Sequence, residues 1–111
     1  MAPETPAKMS LIKACRTDEM TSGSMRRVTL EDGTPVAVYR VGDEFFATSD
    51  YCTHGIASLT EGELRGDIIE CPFHGGAFNC RTGKPVEAPC TIPLECFKVD
   101  VHDGELFVSR G

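Results

Sequence analysis

Apolar residues occur in short runs along this chain, divided by turn-forming residues, and no stretch keeps a convincing helical period for ten residues or more. "LIKACR" (residues 11–16) alternates weakly. "MRRVTL" (25–30) and "PVAVYRV" (35–41) flank "EDGT", whose Asp-Gly pair suits a hairpin turn because both residues enter left-handed backbone at low cost. "EFFAT" (44–48) follows a Gly-Asp pair. Later, "GDIIEC" turns into a strand at Ile68 and Ile69, and "GAFNC" (76–80) is closed by "RTGK". "CFKVDV" (96–101) and "ELFVSR" (105–110) flank a second Asp-Gly turn. There Phe97, Val99 and Val101 fall on one face and Lys98, Asp100 and His102 on the other. "TDEM" (17–20) reads as one helical turn with Thr17 as its cap. Residues 1–9 carry two prolines and no period and read as a loose tail. Residues 10–111 then form a single all-β domain, a sandwich or barrel of short strands without a fixed-period repeat.

At 111 residues the chain has room for one modest core. Its formal net charge of −6 repels phosphates and anionic lipid, so nucleic acid and membrane surfaces are not expected partners. An acidic surface suits docking on a basic protein patch, and it equally suits plain solubility. Six cysteines in so short a chain could be a disulfide framework. The opening "MAPETPAK" has no apolar run, so no signal peptide is expected, and no later stretch is apolar enough to span a bilayer. The expected compartment is the cytoplasm, where thiols stay reduced and paired Cys/His sets bind metal more often than they cross-link.

Such a set lies in the middle of the chain. Cys52-x-His54 is followed, after sixteen intervening residues, by Cys71-x-x-His74. Glycine follows each pair, at Gly55 and at Gly75-Gly76, and lets bare backbone N–H groups approach a bound anion such as sulfide. Pro72 stiffens the second loop. Two such loops at the tips of neighbouring hairpins could clamp a metal group at one end of a sheet. Structural zinc would accept two Cys and two His, although Cys-x-His is tighter than the usual knuckle. A nucleophilic Cys–His pair would leave two of the four residues idle and has no evident orienting partner.

"CTHG" followed by "CPFHGGAF" resembles the ligand motifs of Rieske [2Fe–2S] proteins, and "TGKPVEAP" and "FKVDVHDGELFV" look like the same family. The resemblance runs from about residue 10 to 110. It implies an antiparallel Rieske β-sandwich with a small cluster-binding subdomain at about residues 49–90. It also implies one [2Fe–2S] cluster, with Cys52 and Cys71 on one iron and His54 and His74 on the other. Two ferric ions, two sulfides and two thiolates sum to zero charge, so a first electron goes onto a neutral centre. With four thiolates it would go onto a dianion. Histidine ligation therefore raises the potential, to about −150 to +300 mV against about −400 mV for all-cysteine plant-type clusters. The respiratory branch of the family has a further loop disulfide and a serine near the cluster. Ala57, Phe73 and Gly76 stand at those places here, which implies a potential toward the lower end.

The resemblance thus implies a soluble ferredoxin, a monomer making transient complexes. It would pass single electrons from a flavin-dependent NAD(P)H reductase to the terminal oxygenase of an aromatic-ring dioxygenase system. A different acceptor such as a nitrite reductase, or a zinc module, is the alternative. The chain is not expected to be an enzyme: only His102 is left over for a mononuclear iron site, and no strand–GxGxxG–helix signal exists for a dinucleotide. Cys15, Cys80, Cys90 and Cys96 read as free thiols packed as small hydrophobes. Phe45, Phe46, Phe78, Phe97 and Phe107 read as core, and His102 as a solvated side chain. Phe73 and the loop carrying Pro89 are expected to cover the cluster. Glu61, Glu63, Asp67 and Glu70 either steer a basic partner or form a solvated hairpin.

Overall fold

The structure, a computed structural model, describes residues 12–51, 58–72, 76–88 and 92–109. The expected tail over residues 1–9 lies outside them. Ten strands follow in order: β1 (Ile12–Arg16), β2 (Met25–Thr29), β3 (Pro35–Val41), β4 (Glu44–Ser49), β5 (Glu63–Arg65), β6 (Ile68–Glu70), β7 (Ala77–Asn79), β8 (Pro85–Glu87), β9 (Cys96–His102) and β10 (Glu105–Ser109). They form a six-stranded sheet in the order β1-β10-β9-β4-β3-β2 and a four-stranded sheet in the order β5-β6-β7-β8. Every pairing is antiparallel. The protein is all-β, as its pattern of short runs requires.

Strand β3 explains how the two sheets share a core. Val36, Ala37, Val38 and Tyr39 are all fully buried, so this strand is covered on both faces. Val36 and Val38 join Ala47, Phe97, Leu106 and Val108, which means the larger sheet curls until β10 packs over β3. Ala37 and Tyr39, one residue out of phase, join Leu59, Ile69, Cys71, Phe78 and Leu94. That second cluster fastens the smaller sheet to the back of β3. Burying Leu59, Ile69 and Phe78 stabilises this junction by about 2 kcal/mol each. The Tyr39 hydroxyl sits 2.8 Å from the Thr48 hydroxyl, so the one polar group that β3 carries into the junction is satisfied.

Both Asp-Gly turns form hairpins. In the first, the Thr34 N–H donates to Asp32 Oδ1 at 3.0 Å and the Leu30 N–H donates to the Thr34 carbonyl at 2.9 Å. In the second, Asp103 and Gly104 both take positive φ, at 53° and 75°, the paired left-handed geometry of a two-residue hairpin.

Some expectations are corrected. Residues Thr17–Glu19 form a 3-10 turn, but Arg16 holds the cap position and its N–H donates to Glu19 Oε1 at 3.0 Å. The Thr17 hydroxyl instead donates to the Gly104 carbonyl at 3.3 Å, tying the turn to the β9–β10 hairpin. Val101 shares the inward face with Phe97 and Val99 but remains 53% exposed, because the core ends before the strand does. Of the five phenylalanines expected in the core, Phe78 and Phe97 are buried. Phe45 and Phe46 are half-buried beneath the guanidinium groups of Arg40 and Arg81, at 5.1 and 4.7 Å. Phe107 is also half-buried, opposite Asp100 and Lys13 on the outer face. His102 is solvated, as expected, and lies 3.6 Å from Asp103. Cys15 and Cys80 are buried and Cys96 is exposed. Cys90 lies outside the described residues.

Candidate metal centre

Of the four predicted ligands, Cys71 lies within the described residues; Cys52, His54 and His74 lie outside them, as do Ala57, Phe73 and Pro89. What the structure describes is the frame that holds both ligand loops.

The second loop caps the β6–β7 hairpin. Glu70 pairs with Ala77, and one step further the Cys71 N–H donates to the Gly76 carbonyl at 2.7 Å. The β6–β7 ladder is therefore closed as far as Cys71 and Gly76. Cys71 is 5% exposed, in the same buried cluster as Ile69 and Phe78. A buried sulfur on a backbone held by a ladder hydrogen bond fits a thiolate ligand, which needs shielding from water and a fixed position.

The first loop leaves β4 and is gathered at its base. Tyr51 and Ser58 form an isolated antiparallel bridge, and the Leu59 N–H donates to the Asp50 carbonyl at 2.8 Å. Between these sits the Asp50 carboxylate, fully buried. It accepts from the Ser58 hydroxyl, from the Thr60 N–H at 2.9 Å and from the Thr60 hydroxyl at 3.3 Å. Arg27 on β2 places its Nε 3.3 Å from the same carboxylate while remaining half-exposed. A buried charge is tolerable only when so fully partnered. Here one side chain joins the outgoing strand, the returning chain and a neighbouring strand two residues before Cys52. Asp50 is the positioning residue that the sequence reading missed. The available signal was an acidic residue ending an apolar strand, with Ser58 and Thr60 to receive it across the loop.

The two loop bases sit side by side. The returning chain runs through a 3-10 turn at Leu59–Glu61, which buries Leu59 against the cluster containing Ile69 and Cys71. It then passes Gly62, where a side-chain Cβ would collide with the Glu70 carbonyl and lie 3.2 Å from Pro72 Cδ. Only glycine lets the first loop's return lie so close to the second loop's root. Gly62→Ala is expected to destabilise the protein by about 2 kcal/mol or more and to speed cluster loss. Urea unfolding followed by the visible absorbance checks both.

A shallow depression of about 430 Å³ opens beside Cys71, lined by Glu61, Gly62, Glu63, Glu70 and Pro72. Arg65 reaches Glu70 at 2.6 Å and Glu63 at 3.4 Å. Asp67 is turned elsewhere, to Arg81 at 3.2 Å. The acidic residues between the ligand motifs therefore divide into a rim near Cys71 and a far-side ion pair.

Known proteins agree with this architecture. The chain is 58% identical over 98 residues to the ferredoxin CarAc of Metapseudomonas resinovorans, covering 88% of this chain and 92% of that one. It is 44% identical over 109 residues to the ferredoxin component of the p-cumate 2,3-dioxygenase system of Pseudomonas putida, covering 97% and 92%. A chain in the solved complex of reduced oxygenase and oxidized ferredoxin of carbazole 1,9a-dioxygenase superposes with a TM-score of 0.89. It is 56% identical, and the match covers 92% of this chain and 94% of that one. The sequence profile of the Rieske [2Fe-2S] domain matches residues 10–98, most of the chain and both ligand motifs, so this protein belongs to the Rieske [2Fe-2S] domain family.

Proposed function

We propose that this protein is a one-electron carrier that takes electrons from a flavin-dependent NAD(P)H reductase and delivers them to the terminal oxygenase of an aromatic-ring dioxygenase system. The observation that carries this reading is similarity over nearly the whole chain to ferredoxin components of such systems. In this reading Cys52 and Cys71 hold one iron, His54 and His74 hold the other, and residues 49–90 form the cluster-binding subdomain of a single domain. When bound, the cluster supplies a one-electron couple.

The chain's own part is to hold and present that couple. The Cys71 hairpin fixes one sulfur donor below the surface, and Asp50 fixes the root of the loop that brings Cys52 and His54. On this reading a partner approaches the segments that run on from these two roots and carry the histidines. Tyr51 is 47% exposed at the root of the first loop, and Pro72 is exposed at the root of the second, giving a small contact area around the two roots. A carrier must release its partner quickly, so charge and shape near that area set specificity more than buried area does.

The reading is tested by reconstitution. Purified reductase, this protein and an aromatic-ring oxygenase should couple NAD(P)H oxidation to substrate hydroxylation, and omission of this protein should stop the coupling. A system that runs equally well without it rejects the reading. The acidic rim adds a quantitative expectation. The second-order rate of reduction by the reductase should fall by about tenfold between low salt and about 0.5 M salt, because long-range attraction is screened. Stopped-flow bleaching of the visible absorbance measures it, and a flat salt response removes the rim from the docking account.

A further inference from the structure

A small cavity of about 150 Å³ lies where the two sheets meet. Its walls include Phe46 from the six-stranded sheet and Arg81 from the turn after β7, and two cysteines line it, Cys80 from that same turn and Cys96 from the six-stranded sheet. Cys80 directly follows β7 and is 1% exposed; Cys96 opens β9 and is exposed. Both are free thiols.

A second observation places the Cys96 sulfur against the turn that begins at Cys80. The turn that begins at Cys80 passes through Gly83, and a Cβ on Gly83 would lie 2.9 Å from Cys96 Sγ and 2.6 Å from the Leu94 carbonyl oxygen. The Leu94 N–H also donates to the Gly83 carbonyl at 2.8 Å. The Cys96 sulfur therefore packs directly on the turn that Cys80 starts, in a spot open only because residue 83 has no side chain.

We propose that Cys80 and Cys96 form a reversible disulfide that staples the four-stranded sheet to the six-stranded sheet when the protein meets hydrogen peroxide. The exposed Cys96 thiol reacts first: its sulfur gains the peroxide oxygen as a sulfenic acid, and one water leaves. The Cys80 sulfur then attacks that sulfur, the S–S bond forms, and the oxygen departs as a second water. Two thiols and one peroxide give one disulfide and two waters. Burial raises both thiols above their ordinary value, Cys80 to about 11 with Asp67 adding to the rise, so the pair rests protonated and reacts slowly. The staple closes the chain between residues 80 and 96, so it stiffens the attachment of the smaller sheet to the larger one. The proposal does not depend on which residues bind iron.

The test uses holoprotein treated with hydrogen peroxide at a dose that leaves its visible absorbance intact. Remaining thiols are alkylated, and the unreduced digest is mapped by tandem mass spectrometry. A peptide pair joined through Cys80 and Cys96 is expected, lost on reduction with dithiothreitol and accompanied by a higher urea midpoint. In Cys80→Ser, dimedone should trap sulfenic acid at Cys96 with several-fold greater yield than in the wild type, because the resolving thiol is gone. Full alkylation of both cysteines after oxidation, or a link from either to another cysteine, overturns the proposal. So does equal dimedone labelling in wild type and Cys80→Ser.

Discussion

Asp50→Ala is expected to lower stability by about 3 kcal/mol and to make the protein lose its cluster many times faster than the wild type. The argument rests on what the carboxylate leaves behind. The Ser58 hydroxyl, the Thr60 N–H and the Thr60 hydroxyl all give up their acceptor, and the Arg27 guanidinium gives up its buried counter-charge. Stranding buried donors costs about 1–3 kcal/mol each, reduced here because water can enter from the exposed Arg27 side. A small domain has roughly 5–15 kcal/mol in total, so the loss is a large share. Asp50→Asn should fall between the two, since the amide keeps one acceptor oxygen but turns the other into a donor facing donors. Urea unfolding and the decay of visible absorbance at fixed temperature measure these effects. A purely structural role would move only the unfolding curve. Positioning of the first ligand loop should also shift the midpoint potential of Asp50→Asn while its cluster is still in place.

The second large effect is on the potential. His54→Cys, on the proposed ligation, replaces a neutral donor with an anionic one on the iron that takes the electron. The gap between the lower end of the histidine-ligated range and the all-cysteine value is about 250 mV for two added charges, so one replacement should lower the midpoint by about 125 mV. At 59 mV per tenfold for one electron, that is about two orders of magnitude in the equilibrium with the reductase. Reduction by the reductase would become less favourable by that factor, and coupled hydroxylation would slow although the protein still held iron. Redox titration followed by absorbance reads the shift, and an unchanged midpoint would remove His54 from the ligand set.

The sequence revealed the fold unevenly, for physical reasons. The Asp-Gly hairpins were legible because their backbone demands particular residues. Strand β3 was legible as an apolar run, and burial on both faces explains why it lacks a polar partner row. Strands β5 and β8 were not legible. Glu63–Arg65 and Pro85–Glu87 are three residues each, mostly polar or exposed, and exist because β6 and β7 offer them a paired edge. The turn at Leu59–Glu61 escaped for the same reason: its fixed point, Leu59, is set by contacts distant in sequence. In the candidate site, the proposed ligand set came from the sequence alone, because metal donors are few in kind and recur together. Asp50 could not be read that way, since an aspartate is common in loops and its meaning appears only once Ser58, Thr60 and Arg27 converge on it.

One spectrum tests the central claim, that sulfur donors hold one iron and nitrogen donors the other. Electron paramagnetic resonance of the dithionite-reduced protein should show a single cluster whose average g value lies below that of all-sulfur [2Fe–2S] centres. An average g equal to theirs, or no cluster signal after anaerobic reconstitution with iron and sulfide, would contradict it.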